Sequence, residues 1–269
     1  MRVTRSSIVA AVLTILALPQ SARAACSFDD VARFVPGNTT MVVRVDLRAL
    51  PDIPAPLELA EVLREQGASL DGIATERVRR ITHLADVVYT VRVPRGQLVV
   101  VPLHGDPTAE DSDALAENPQ AALRSVGACH VLLYSASSEL LGDAATARAT
   151  PPAWLSQARR FESSHPHWAA ALLNDAARER IARLVSDVLA PSALADVVQV
   201  EAAYSHASRV GRARIVCSRP GASQMAAAVL RTLLSERFRP SIRPTPNTVE
   251  IEVQGVDAAQ ILDLLETWR

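Results

Sequence analysis

Short stretches that alternate apolar and polar residues with a period of two recur along the chain, and this is the pattern of half-buried β-strands. Together with short apolar runs bounded by turn residues, they predict seven strands, at 40–47, 87–93, 98–103, 129–135, 198–204, 213–217 and 248–253. The segment Pro94-Arg95-Gly96-Gln97 has the composition of a hairpin turn. We therefore expect the strands on either side of it to pair.

Other stretches space their apolar residues three and four apart, which predicts helices. These helices span 57–66, 75–82, 112–117, 154–161, 168–189, 221–238 and a last segment that begins near Asp257. The helix after Pro220-Gly221 has the longest apolar stripe, made of Met225, Val229, Leu230, Leu233, Leu234 and Phe238. If Leu233 lies at the centre of that stripe, Leu233→Ala should cost about 2–5 kcal/mol of stability.

The pentapeptide Leu84-Ala85-Asp86-Val87-Val88 recurs as Leu194-Ala195-Asp196-Val197-Val198. Each copy leads into a strand, a hairpin partner, a helix and a further strand in the predicted order of elements. An internal repeat of this kind is stronger evidence for the architecture than any single motif. The sequence therefore predicts an α+β fold of two related two-layer modules (strand-strand-helix-strand) joined by a helical segment. The predicted boundaries are 1-24 for a signal peptide, 25-150 for the first module, 151-194 for the helical connector and 195-269 for the second module.

Residues 1-24 have the features of a secretory signal peptide. Arg2 and Arg5 precede an apolar run over 8–18, and Ala22-Arg23-Ala24 fits the small-x-small rule for cleavage. The run is too short to span a bilayer, and no later stretch is long and apolar enough to do so. Cys26 raises the alternative of lipid attachment, but Arg23 stands where such a signal requires Leu. We expect cleavage after Ala24 and a periplasmic or secreted location.

Three cysteines, Cys26, Cys129 and Cys217, remain in the mature chain. An oxidising compartment allows one disulfide among them and leaves one thiol, but the sequence does not determine the pairing. Cys129 and Cys217 each lie in an apolar run, as small buried hydrophobic residues do.

The composition excludes several classes of function. All 28 basic residues are Arg, so a phosphate-binding loop of the Walker type and Schiff-base chemistry lack the Lys that they need. Cleavage of the signal leaves 25 basic against 29 acidic side chains, a net charge of −4, and aromatic residues make up only 4% of the chain. An acidic chain with no basic tract and few aromatic residues is unsuited to binding nucleic acid.

Candidate sites for chemistry are few. His165 and His167 are spaced to share a metal on an extended segment, but no acidic or cysteine cluster nearby completes the site, and a polar loop is the favoured interpretation. The remaining histidines are scattered, at 83, 104, 130 and 206. The acidic residues Asp106, Glu110, Asp111 and Asp113 lack the Gly and the closing Glu of a helix-loop-helix calcium site, which favours a solvated loop. The motifs of a nucleophile elbow, a zinc protease and a dinucleotide-binding loop are absent from the sequence.

The segment FVPGNTTMVVRVDL, residues 34–47, resembles the start of uncharacterised secreted or lipid-anchored bacterial proteins with repeated α+β units, a family of unknown function. The resemblance implies the layout of the fold and brings no catalytic residue with it. We therefore expect a non-enzymatic exported protein, a periplasmic binding or envelope-associated interaction module with an unidentified protein or envelope partner. The alternative is a hydrolase or metal-dependent enzyme with dispersed active-site residues. No catalytic, cofactor-binding or metal-ligating residue, and no cofactor, is assigned.

Overall fold

The computed structural model describes residues 26–49, 85–105, 107–108, 112–113, 119–146, 151–161, 165–184, 195–235 and 238–256. Ten strands form one sheet: β1 Met41–Asp46, β2 Val87–Val93, β3 Gly96–Leu103, β4 Ala121–Val126, β5 Cys129–Tyr134, β6 His167–Leu172, β7 Val197–Ser205, β8 Val210–Cys217, β9 Ser241–Pro244 and β10 Thr248–Gln254. The helices in this part of the chain are α1 Phe28–Ala32, α2 Ser138–Thr146, α3 Leu155–Ala158, α4 Asp175–Leu184 and α5 Ala222–Ser235, with 3-10 turns at Leu47–Ala49 and Arg159–Phe161. The predicted α+β class is confirmed.

The sheet is antiparallel throughout, in the order β4-β5-β3-β2-β1-β6-β7-β8-β10-β9. Strands β1 and β6 pair at its centre, with Met41 opposite Ala171. The predicted hairpin partners are confirmed, since β2 pairs with β3 and β7 pairs with β8. The two regions that the sequence assigns to separate modules are thus parts of one continuous sheet.

The apolar core changes face along this sheet. Over β1–β6 the main cluster packs on one face, where Leu98, Leu133 and Trp168 meet Phe28 of α1 and Leu141 of α2. Over β7–β10 a separate cluster packs on the opposite face, against α5. Neighbouring residues of a strand point to opposite faces. On β7–β10, the face that continues the main cluster of β1–β6 therefore carries the residues that do not belong to the cluster under α5.

Helix α5 confirms the predicted helix after Pro220-Gly221, and Leu230 and Leu234 of the predicted stripe pack against the sheet. Ala226 and Ala227 are buried against the sheet, whereas Met225 is 55% exposed. Small side chains allow a helix to pack close to strands. A prediction of the buried face that counts only large apolar residues does not include these alanines. The side chain of Leu233 lies outside the described residues, so the expected effect of Leu233→Ala stays a prediction.

The single helix predicted over 168–189 is wrong. Residues His167–Leu172 form β6, and the helix α4 begins only at Asp175, after Asn174 accepts a hydrogen bond from the backbone N–H of Ala177. The run of alanines in β6 favours a helix by intrinsic propensity. Pairing with β1 and β7 on both sides overrides that propensity, so part of the expected helical connector 151-194 is a central strand.

Strands β4 and β9, at the two edges of the sheet, were not predicted from the sequence. Strand β9 has only four residues and ends in Pro244, and short strands with Pro are typical of sheet edges. The signal peptide, the helices expected at 57–66 and 75–82, the last helix, His83 and most of the acidic loop lie outside the described residues. Within the described part of the chain, no helix is long and apolar enough to cross a membrane.

A disulfide joins Cys26 to Cys129, 103 residues apart, and Cys217 remains a buried thiol. The bond ties the segment before α1 to the start of β5. It resolves the pairing that the sequence left open. It also shows why α1, only five residues long, holds its place on the sheet: Phe28 and Val31 are buried and the backbone before them is anchored covalently.

Packing predicts unequal costs for two leucines of the same sheet. Leu133 in β5 is fully buried, and Leu133→Ala is expected to lower the free energy of unfolding by about 2–5 kcal/mol because it leaves a cavity. Leu172 in β6 is 37% exposed, so Leu172→Ala serves as the matched control and should cost about 1 kcal/mol or less. Urea denaturation measures both. Equal losses would contradict the assigned packing.

Candidate functional site

The face of β7–β10 that α5 leaves uncovered is charged. In register across β7, β8, β10 and β9 lie Glu201, Arg214, Glu250 and Arg243. Two residues further along each strand, and therefore on the same face, lie Ala203, Arg212, Glu252 and Ser241. Acidic and basic side chains thus alternate from strand to strand, at a spacing of about 4.8 Å.

A groove of about 280 Å³ runs over this charged face. Its floor is formed by Arg212, Ala213, Arg214, Ser241, Arg243, Glu250, Ile251 and Glu252. Its wall is Arg160 and Phe161, from the 3-10 turn that precedes β6. The Arg160 guanidinium lies 5.0 Å from the centre of the Phe161 ring, a cation–π contact, and Phe161 itself is buried in the main core. The wall is therefore anchored to the same core that holds the sheet.

Glu201 is the charge beneath the groove. Its side chain is fully buried, and it accepts hydrogen bonds from Arg160, from Gln199 Nε2 at 2.7 Å and from Arg214 at 3.4 Å. A carboxylate without contact with water is costly unless it is paired and hydrogen-bonded. Two guanidinium groups therefore converge on one carboxylate at the deep end of the groove.

The outer part of the groove is less tightly paired. Arg212 forms an exposed ion pair of 3.0 Å with Glu252, and hydrogen bonds from Gln254 and then Arg212 lower the pKa of that carboxyl. Glu250 and Arg243 are exposed neighbours across β10 and β9. Within the described part of the chain, neither of these two side chains forms an ion pair, although the charge of Arg243 also contributes to lowering the pKa of Glu252.

The sequence pointed to the histidines, and the structure separates them. His165 packs edge-on against Phe161, with ring centres 5.7 Å apart, whereas His167 stacks on Tyr204 at 6.4 Å. Among the described residues, no group of three or more His, Cys, Asp or Glu side chains could hold a metal. The favoured interpretation of this segment as a polar loop is wrong, since His165 is buried and His167 is the first residue of β6.

His167 is a structural element of the central strand pair. The backbone N–H of Asp46 donates to its Nδ1 at 3.3 Å, just beyond the point where β1 and β6 stop pairing. Arg44 donates to the carbonyl oxygens of His165 and Pro166 at the same place. The Nε2 atom of His167 is buried. Burial, the largest cause, lowers the pKa of His167.

Burial also lowers the pKa of His165, which predicts how stability depends on pH. The unfolded chain, in which a His has a pKa of about 6.5, binds protons more readily than the folded chain below that pH. The contribution to stability is thus complete above about pH 6.5 and falls as the pH drops towards the lowered folded values. Urea unfolding at several pH values should show a weaker dependence for His165→Gln/His167→Gln than for the wild type. Equal dependence would contradict the assignment.

Sequence reasoning missed this groove. The polar face of β10, Glu250 and Glu252, was visible as alternation, and Arg212 and Arg214 alternate in the same way in β8. Their meeting with Arg160 depends on the register of four strands and on a turn about forty residues away in the chain, and no local pattern encodes either.

No family model matches the sequence, and no curated protein matches it. Among solved structures, crystal forms of TP0453 from Treponema pallidum are similar in fold. Form I aligns with a TM-score of 0.50 at 10% identity and covers 88% of this chain and 96% of that chain. Form III aligns with a TM-score of 0.48 at 9% identity and covers 88% and 97%. At such low identity the likeness concerns the fold alone.

Proposed function

We propose that the protein is an exported, non-enzymatic binding module of the bacterial envelope, periplasmic or secreted, and that the groove over β7–β10 is its ligand site. The observation that carries the proposal is the buried Glu201, which holds Arg160 and Arg214 at the base of an otherwise open, charged groove. A buried carboxylate contributes little to stability by itself, because apolar side chains of similar size often serve as well. Fixing two guanidinium groups for a ligand is a role that an apolar residue could not fill.

The lining of the groove favours binding over catalysis. Its described residues include four arginines, two glutamates and no histidine. A guanidinium remains protonated at any physiological pH, so it binds and orients anions but cannot act as a general base. An enzyme with dispersed residues would gather acidic or histidine side chains from both halves of the sheet, whereas the described floor lies entirely within β8–β10.

The disulfide supports export without lipid attachment. A disulfide of this kind persists in oxidising compartments such as the periplasm. The sulfur of Cys26 is bonded to Cys129, and a thioether to a lipid would need that same sulfur. Mass spectrometry of the protein from its own cell should therefore find Ala25 at the N-terminus. A retained Met1, or a lipid on Cys26, would refute this part of the proposal.

We also infer that the two halves of the sheet are copies of one unit. Outward from the central β1–β6 pair, the strands follow one order on both sides. The recurring pentapeptides lie at equivalent places, with Val87 and Val197 as the first residues of β2 and β7. Asp86 and Asp196 then bind groups after β3 and β8: His104 at 3.5 Å in the first half and Arg219 at 2.5 Å in the second. Superposing the halves strand by strand tests this inference, and different strand curvature or crossing would refute it.

Native mass spectrometry tests the binding function. The protein purified without denaturation from its own envelope fraction should carry a non-covalent adduct. The variant Arg212→Ala/Arg243→Ala should lose it, because both cations of the outer groove are removed. The control is Arg95→Ala, which breaks an exposed 2.9 Å pair with Glu139 in the other half of the sheet and should keep the adduct. Absence of an adduct from the wild type, or its presence on all three proteins, would overturn the proposal.

A further inference from the structure

We infer that the groove takes a small zwitterion, a free amino acid or short peptide that carries one ammonium and one carboxylate group. This inference rests on the proposed function of the groove as a binding site and names the chemistry of its ligand. It follows from the order of the charges on the groove floor, from two exposed charges that form no ion pair with a described residue, and from the size of the space.

The order of charges discriminates between ligand classes. Across the strands the floor alternates Arg214, Glu250 and Arg243, with Arg212 and Glu252 beside them. A ligand with several negative charges would meet the two glutamates, and a ligand with several positive charges would meet the arginines, so each is repelled by part of the floor. A ligand with one charge of each sign, a few ångströms apart, satisfies neighbouring positions together.

The two ends of such a ligand have defined partners. Glu250 is exposed and has no ion-pair partner among the described residues, so its carboxylate is available to an ammonium group. Arg243 on the adjacent strand is likewise exposed and unpaired within the described part of the chain, and its guanidinium can bind a carboxylate through two parallel hydrogen bonds.

The size of the groove limits the ligand. Its 280 Å³ lies at the small end of ligand sites, which are typically about 300–1,000 Å³. Phe161 borders one side of the groove but is only 7% exposed, so the groove offers little apolar surface and suits a ligand with a small side chain. A compact ligand with a single side chain, or two, fits this space.

The test is a chemical-shift titration of the ¹⁵N-labelled mature chain with pools of the twenty free amino acids and of dipeptides. The best binder is then compared with its N-acetylated and C-amidated forms, which lack the ammonium and the carboxylate. We expect saturable shifts at the backbone of Arg212, Arg243 and Glu250, and binding weaker by about tenfold or more when either end is capped.

Variants assign the ends. Glu250→Gln should weaken binding of the zwitterion but leave binding of the N-acetylated form unchanged. Arg243→Ala should also weaken binding of the zwitterion but leave binding of the C-amidated form unchanged. The matched controls Glu139→Gln and Arg95→Ala remove the same charges from the exposed pair in the other half and should change neither.

Three outcomes would overturn the inference: no pool shifts the groove, capped ligands bind as tightly as free ones, or Glu250→Gln behaves like Glu139→Gln. In the first case the alternating charges only stabilise the sheet or receive another ligand. A groove-dependent adduct in native mass spectrometry, with every pool silent, would leave the proposed binding function standing and refute the zwitterion alone.

Discussion

The variant Cys26→Ala/Cys129→Ala is expected to lose about 2–5 kcal/mol of unfolding free energy, because the bond closes a loop of roughly one hundred residues. Cross-linking so distant a pair restricts the unfolded chain strongly, and in the folded chain it holds α1 on the main core. A domain is typically stable by about 5–15 kcal/mol, so this loss is a large part of the total. Guanidinium denaturation of the mature protein measures it.

The free thiol provides the control for this prediction. Cys217→Ala removes a buried sulfur without affecting the bond and should cost about 1 kcal/mol. A reductant should lower the stability of the wild type to that of the double variant and leave the double variant unchanged. If the fully reduced wild type unfolds at the same denaturant concentration as the oxidised protein, the bond does not have the anchoring role described.

Removal of both Arg160 and Arg214 is expected to destabilise the protein by about 3–5 kcal/mol, because a fully buried carboxylate loses both of its cationic partners. Gln199 would remain as the one hydrogen-bond donor to Glu201 among its described contacts. Adding Glu201→Gln to Arg160→Ala/Arg214→Ala removes the buried charge and should restore most of the loss.

Arg212→Ala is the control for these variants, since it breaks an ion pair whose arginine is 47% exposed. Exposed pairs contribute about 1 kcal/mol or less, so its effect should be small. Thermal and urea unfolding of the four proteins, the wild type included, complete the comparison. If Glu201→Gln fails to rescue the double arginine variant, the buried charge is not the cause of the instability.

Local patterns predicted those elements whose partners lie nearby in the chain. Strand β2 alternates and β3 is a short apolar run, and a two-residue turn joins them. Strand β10 shows its polar and apolar faces in the sequence itself. The disulfide pairing and the central strand β6 could not be predicted in this way, because they depend on residues distant in the chain. Ala169, Ala170 and Ala171 favour a helix, and only the flanking strands β1 and β7 make them a strand.

The groove could not be predicted because its parts are distant in the sequence. Glu201 and Arg160 are separated by about forty residues, and Arg243 reaches the groove only through a short edge strand that resembles a proline-rich loop. The sequence did contain charged residues at every second position of β8 and β10. Such alternation is usual for a solvated face of a sheet, so it points to a ligand only when a buried Glu201 and a wall with Phe161 are seen beside it.

A crystal structure of the mature protein, purified without denaturation from its own envelope fraction, tests the central claim most directly. We predict electron density for a small molecule in the groove, in contact with Arg243 and Glu250 and bordered by Phe161. Density for water alone in a fully formed groove, or occupation of the groove by residues of this same chain, would contradict the claim that it is a ligand site.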